Sequence, residues 1–326
     1  MNLEQLRGFA EVARTGHFTR AAEHLHLAQP SLSRQIANLE GELGVELFHR
    51  ARGNVALTAA GERLLPFARR MLADAETARG EMAELAGLRR GRVRLGATPT
   101  LCTSLVAEVL ADYRERHPGI DIEILERGSR SLISALMDGA LDLALIVTSV
   151  SSGAARAVLE REPILSERLV VVSSAAAPDP FRGEGSGALG AGRSAGERPV
   201  SLRELARVPQ VLFPGNYDLR VAVDAALGAE GLTPTVAVEG AEMDAALRFA
   251  ERGFGVAVVP AMVAVDRPQL RATPLADAAL TRTISVARRS DMSPTHASVA
   301  LQALIEEVAD RFAAPGSATA RLVSRV

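Results

Sequence analysis

The sequence predicts an α/β protein in three parts: a small helical head closed by a two-stranded hairpin, one long helix, and a two-lobed α/β body. Three observations lead there. The chain has 326 residues, too many for one ordinary domain and suited to two or three. Apolar residues recur at helical spacing through the first ninety residues. From residue 91 onward strand and helix patterns alternate, as in a parallel sheet covered by helices.

Composition narrows the class. Hydrophobic residues make up 48% of the chain, charged residues 23%, and Trp is absent, which fits a globular chain with aliphatic cores. No run of about 18 apolar residues offers a membrane span. The opening MNLEQLRGFAEVARTGHFTR is charged throughout and lacks the apolar core of a signal peptide. Cys102 is the only cysteine, so no disulfide closes within the chain. The expected compartment is the cytoplasm. All 37 basic residues are Arg, which reads as genomic base bias, and the net charge is −2. Residues 1–58 balance six Arg (7, 14, 20, 34, 50, 52) against six Glu (4, 11, 23, 40, 42, 46). Nucleic-acid binding must therefore rest on where the arginines sit.

In the head, Leu3, Leu6, Phe9, Ala10 and Ala13 space a first helix that Gly16 can close. Thr19 is the expected N-cap of a short second helix, RAAEHL, and His26-Leu27-Ala28 the turn after it. QPSLSRQIANLEGEL then reads as a third helix, with Pro30 in its first turn and Gly44 at its end. Leu32, Ile36, Leu39 and Leu43 form one apolar stripe; Ser31, Arg34 and Asn38 share the opposite face. Two helices joined by a short turn, the second apolar behind and polar in front, suit a reader of the DNA major groove. ELFHRARGNVALT offers two short strands around Arg52-Gly53-Asn54, placing Arg50 and Arg52 on a projecting hairpin suited to phosphates or a narrow minor groove. A plain three-helix bundle with a solvated polar face satisfies the same periodicity.

FTRAAEHLHLAQPSLSRQIANLEGELGVELFHR followed by LTAAGERLLPFARR resembles the N-terminal signature of the LysR-type transcriptional regulators, and the likeness runs through residues 2–72. The resemblance implies a winged helix-turn-helix. It carries recognition-helix contacts onto Gln29, Pro30, Ser33 and Arg34 and wing contacts onto Arg50 and Arg52. The chemistry agrees, since Arg reads guanine bidentately, Gln reads adenine, and Ser serves base or phosphate. Thr19 and Arg20 stand where the start of the second helix meets the DNA backbone.

Thr58 can cap a fourth helix running to about residue 88. Leu64, Ala68, Met71, Ala75, Ala78, Met82 and Leu85 alternate steps of four and three along it, a seam for a second copy. A helix packed on its own domain is the alternative, and Pro66 is placed to bend it.

In the body, RVRLGA, a helix over 101–117, IDIEIL, a helix over 129–138 and LDLALIV spell βαβαβ. After REPILSERLVVVSS come PQVLF, a helix over 221–230, TPTVAVEG, a helix over 241–251 and GVAVVP. QLRATPL and TRTISVARR return the chain to a last helix over 294–313. A lobe interrupted by a second and completed by the C-terminus implies two crossings, with a ligand cleft between the lobes. This half resembles the family's effector domain, an architecture shared with periplasmic solute-binding proteins. The expected parts are a winged helix-turn-helix at 1–58, a linker and dimerisation helix with hinge at 59–90, and an effector-binding domain at 91–326. Lobe I is expected at 91–162 and 268–326, lobe II at 163–267.

Ligands of open parallel sheets sit beyond the carboxyl ends of strands. That rule selects Thr98-Pro99-Thr100, Gly128-Ser129, the 213–216 turn and Glu242-Met243-Asp244. By similarity, effector contacts fall on Thr98, Thr100, Ser129 and around Phe213, Asn216 and Met243. Thr and Ser at helix starts are also ordinary N-caps. Some family members that take dicarboxylates carry an Arg just after the third strand; Val147 stands there, which speaks against such a ligand. The glycine run at 185–190 matches a dinucleotide fingerprint but lacks its strand and helix, so no cofactor is expected. No catalytic triad or metal spacing appears: His24 and His26 do not share a helix face, and Cys102 has no resolving partner. An enzyme and a transport-associated binding protein are the rival readings, disfavoured by the missing chemistry and by the fused DNA-reading head. The expectation is a regulator that binds an imperfect inverted repeat of double-stranded DNA as a homo-oligomer, a dimer or dimer of dimers, under control of a small-molecule effector.

Overall fold

A computed structural model describes residues 1–51, 54–85, 91–148, 159–181, 198–215, 217–265, 267–277, 280–317 and 319–326. The head begins with α1 (Leu3–Thr15). The Asn2 side chain accepts the Gln5 N–H at 2.9 Å, and the Gln5 side chain accepts the Asn2 N–H at 2.8 Å, a reciprocal cap. Gly16 ends the helix at φ 67°, where a Cβ would be strained. The second helix, α2 (Phe18–His24), starts from His17, so Thr19 lies inside its first turn and is not the N-cap. The third, α3 (Gln29–Leu43), has Pro30 in its first turn and Gly44 at φ 71° after it. Leu32, Ile36 and Leu39 are fully buried against Leu6, Phe9 and Val12. A Cβ on Gly8 would come within 2.7 Å of Leu32, so α1 and α3 approach closely there. Leu43 departs from the expected stripe and is 38% exposed, because the core ends one turn earlier. Strands β1 (Phe48–Ala51) and β2 (Asn54–Leu57) pair antiparallel as the hairpin.

The fourth helix, α4, spans Ala59–Leu85 and contains Pro66. Thr58 caps it, its hydroxyl accepting the Gly61 N–H at 3.1 Å and donating to the Glu46 carbonyl at 2.7 Å. The expected seam divides in two. Ala68 is fully buried and, with Leu64, Leu65 and Leu72, packs on the head's own core. Among the described residues the large apolar side chains of α4 left outward are Phe67, Met71 and Met82, at 60%, 36% and 61% exposure. Ala68 therefore leaves the outward seam and Phe67 enters it. On another side α4 leans on the body, with Ala73 buried where a Cβ on Gly139 would come within 2.7 Å of it. Ion pairs Arg70–Asp291, Asp74–Arg289 (3.5 Å) and Arg69–Asp138 (3.5 Å) flank that contact.

The body opens with β3 (Gly91–Ala97), then α5 (Pro99–Leu101), which continues through a π-helical turn at Cys102–Val106 into α6 (Ala107–Arg116). Next come β4 (Ile120–Glu126), α7 (Ser129–Met137) and β5 (Leu143–Thr148). The long β6 (Leu159–Ser174) leads to α8 (Leu202–Arg207), β7 (Pro209–Leu212), α9 (Asp218–Ala229) and β8 (Thr235–Glu239). After α10 (Met243–Glu251), β9 (Ala257–Pro260) and α11 (Ala261–Ala264), the chain returns through β10 (Leu270–Pro274) and β11 (Thr281–Arg289). The last elements are α12 (His296–Ala313) and β12 (Val323–Arg325), a strand the sequence reading did not contain.

The principal sheet has the order β10-β6-β11-β5-β3-β4, with β9 and β12 also on β6. Strand β3 is parallel to both β4 and β5, as the βαβαβ pattern requires. Strand β6 belongs to both lobes. Residues from Leu159 to Arg168 pair with β11, while Leu169 onward pairs with β9 and β10. This pairing moves the first crossing to 168/169, later than the expected edge at 162/163, and keeps β10 (Leu270–Pro274) with lobe II, past the expected edge at 267/268, before β11 (Thr281–Arg289) pairs in lobe I. The reason is that one continuous strand, Leu159–Ser174, carries the hydrogen bonds of both lobes, and the sequence has no break where its partners change. Lobe I packs Leu95, Leu101, Leu105, Val109 and Tyr113 against α12; lobe II packs two smaller clusters on either side of β9 and β6. Among the described residues no helix is long and apolar enough to cross a membrane.

Candidate nucleic-acid interface and ligand cleft

Over its buried back, α3 exposes Gln29, Pro30, Arg34 and Asn38 to solvent, with Ser31 and Ser33 half-buried between them. Thr19 and Arg20 are exposed on the first turn of α2. No side chain caps the start of α3; Pro30 brings no N–H, and the Ser31 and Leu32 N–H groups bond the Ala28 carbonyl at 2.9 and 3.2 Å, so the turn before the helix is held by backbone alone. The balanced charge of the head resolves in space. Arg7 pairs with Glu4 and Glu76, and Arg14 pairs with Glu11 beside His24. The Arg14 hydrogen bond holds the Glu11 carboxyl below the usual range, so that pair stays ionised. Arg20 and Arg34 have no acidic partner among the described residues; Arg34 only donates to the Pro30 carbonyl at 3.4 Å. Arg50 lies on β1, and Arg52 lies outside the described residues.

Between the lobes is a cavity of about 430 Å³ lined by Thr98, Thr100, Ser129, Val147, Tyr217 and Met243, among others. Thr98, Thr100 and Ser129 are buried, and neither Thr98 nor Gly128 caps its helix with a side chain. The hydroxyls serve the cavity floor instead. Those of Thr98 and Thr100 lie 3.5 Å apart, and Ser129 Oγ accepts the Val147 N–H at 3.0 Å. Phe213, singled out from the sequence, does not line the cavity. It is buried in the lobe II core and stacks on Tyr217, which takes the lining position, at 5.5 Å and 17°. The chain turns between the two rings, and only the second reaches the opening. Asn216 and the glycine run at 185–190 lie outside the described residues.

Sequence reasoning missed the charged floor. Arg282 on β11 donates through Nη1 to Thr100 Oγ1 at 2.9 Å and through Nε to Glu167 Oε2 at 2.7 Å. Glu167, on β6 and with no exposed surface, also accepts the Met262 N–H at 2.6 Å. Arg282 Nη2 is buried with no acceptor among the described residues. A cation thus reaches the cleft from β11, though Val147 occupies the position after the third strand. No clear signal marked either residue, because β6 (LEREPILSERLVVVSS) and β11 (TRTISVARR) each carry several other charged side chains. Cys102 is half-buried, and burial, followed by Glu126, pushes its thiol up to about 11, so little thiolate forms at neutral pH. Among the described residues no cluster of three or more His, Cys, Asp or Glu is arranged to hold a metal.

Residues 3–62 match the family model described as "Bacterial regulatory helix-turn-helix protein, lysR family", and residues 86–313 match "LysR substrate binding domain". The HTH-type transcriptional regulator IlvR of Caulobacter vibrioides is 31% identical over 97% of this chain and 100% of its own length. Full-length OxyR from Pseudomonas aeruginosa superposes with a TM-score of 0.69 at 25% identity, covering 99% of this chain and 98% of that one. Full-length CbnR complexed with its target DNA gives a TM-score of 0.63 at 24% identity over 95% and 99%, a likeness of fold.

Proposed function

The chain belongs to the LysR family of DNA-binding transcriptional regulators with an effector-binding domain, not to a family of enzymes, and from that premise we propose how its residues divide the work. Residues 1–58 read double-stranded DNA at an imperfect inverted repeat in the cytoplasm. Gln29, Ser31, Ser33, Arg34 and Asn38 enter the major groove, Pro30 sets the helix start, Thr19 and Arg20 hold the backbone, and Arg50 and Arg52 engage it from the wing. Residues 59–90 join two copies along α4, giving a dimer or dimer of dimers. Residues 91–326 take a small molecule in the interlobe cleft at Thr98, Thr100, Ser129 and Met243, beside Tyr217 and Arg282.

The observation that carries this reading is a partition among the described head arginines: Arg7 and Arg14 on α1 have glutamate partners, and Arg20 and Arg34 on the outward faces of α2 and α3 have no acidic partner among the described residues. A polar helix face with unpaired guanidinium groups over a buried apolar back is what groove recognition requires. Selection of the full-length chain on a randomised duplex pool tests it. An inverted repeat should be enriched, and Arg34→Ala should relax the base preference. An unenriched pool, or the same preference from the variant, would place the reader elsewhere.

A further inference from the structure

The cleft sets a donor-rich floor under an acidic rim, and we infer that it selects an amino carboxylate: a carboxylate and an ammonium on one small apolar skeleton. This rests on the reading of the cleft as the effector site. The floor is rich in donors. Arg282 Nη2 has no acceptor among the described residues, Ser129 Oγ already accepts from Val147 and so has its own hydrogen to give, and no side chain caps the start of α7. Such a floor matches a carboxylate.

A ligand with net negative charge fits poorly, because Glu167 already neutralises Arg282 from behind and three carboxylates, Glu126, Asp218 and Glu242, line the cavity. Asp218 faces Arg130 at 3.4 Å, whereas Glu126 and Glu242 have no cationic partner among the described residues. Arg127, the other lining arginine, donates to the Glu126 backbone carbonyl at 2.7 Å. Both free carboxylates act on the ring at the cavity wall. Burial first, then Glu242 and Glu126, raise the Tyr217 hydroxyl's pKa, while Arg282 pulls it down. The three charged groups and that side chain line the same cavity. A dicarboxylate meets unpaired acids at the rim, and a simple amine leaves the floor donors unmet. An ammonium on the rim acids and a carboxylate on the floor satisfy both. Val147, Leu169, Leu219 and Pro260 leave an apolar wall for the rest of the ligand.

Calorimetric titration of the full chain tests the inference. The panel is the twenty common L-amino acids with 4-aminobutanoate and 6-aminohexanoate, and then the deaminated and decarboxylated counterparts of the tightest binder. At least one amino carboxylate should bind, and losing either charge should weaken it tenfold or more. Changing both exposed rim acids, Glu126→Gln with Glu242→Gln, should cost the amino carboxylate tenfold while leaving its deaminated counterpart unaffected or tighter. The inference fails if no panel member binds or if the deaminated counterpart binds equally well to the parent. If that counterpart binds well and Thr100→Val weakens it, the zwitterion is wrong and the cleft stands. If a panel member binds but neither Thr100→Val nor the rim variant changes its affinity, the cleft itself is the wrong place.

Discussion

The outward face of the head is one run of sequence, from Gln29 to Asn38 on a single helix backed by Leu32, Ile36 and Leu39. The floor of the cleft joins Thr100 to Arg282 across 182 positions and Arg282 to Glu167 across 115. Both are polar surfaces over apolar cores, but only the first is ordered by a local period. A helix repeats every 3.6 residues, so its polar face can be read from spacing alone. A floor assembled from the ends of β3, β6 and β11 depends on which strands lie side by side, and no local pattern encodes that order.

The largest expected effect lies in the non-local site. Glu167→Ala strands the buried Arg282 guanidinium without its counter-charge, which should lower stability by about 3–5 kcal/mol in chemical denaturation of the full chain. A much smaller loss would mean that the pair does not hold the lobes' shared strand. The outward face of α4 comes next. Phe67→Asp with Met71→Asp should reduce particle size in light scattering, because buried unpaired charge costs several kcal/mol, about 3–5 per broken site. Ala68→Asp should instead unfold the head, since Ala68 packs on the head's own core. An unchanged size for the first variant would put self-association elsewhere. In the cleft, Thr100→Val removes the hydroxyl that accepts from Arg282 while keeping the side-chain shape. It should weaken effector binding by about 1–3 kcal/mol with the fold intact, read by titration beside a melting curve.

These cases show how much the sequence disclosed. The three head helices, the hairpin, the capped start of α4 and the alternating body were legible because caps, turns and periodicity are local. Thr19 was placed as a cap two residues too late because His17, with no side-chain cap bond, stands at the N-cap of α2 and leaves no capping signature. The outward seam of α4 was misread at Ala68 and Phe67 because a single stripe cannot say which part the head itself covers. Phe213 and Tyr217 lie four residues apart, both aromatic, and only packing decides which one faces the cleft. Glu167 and Arg282 sit in strands that carry several other charges, so nothing in the sequence singled them out or paired them.

The smallest predicted effect concerns a local signal within the body. Ser201 and Glu204 form a reciprocal cap on α8, and the Ser201 backbone N–H, then Arg198, hold Glu204 down at about 2. A carboxyl with a depressed folded pKa contributes stability above its unfolded value, near 4.5, and loses it as the pH falls toward about 2. Glu204→Gln should therefore melt lower than the parent at neutral pH, and the gap should close on acidification through that window. A gap independent of pH would assign the effect to shape rather than charge.

The central claim is that position, not number, makes the head's arginines a DNA reader. It is tested most directly by titrating the selected duplex with Arg34→Ala and Arg14→Ala at several salt concentrations. Arg34, without an acidic partner on the outward face of α3, should cost about 1–3 kcal/mol on the specific site and relax base preference. Arg14, held by Glu11 on α1, should bind as the parent does. Equal losses from the two variants, or none from Arg34→Ala, would contradict the account.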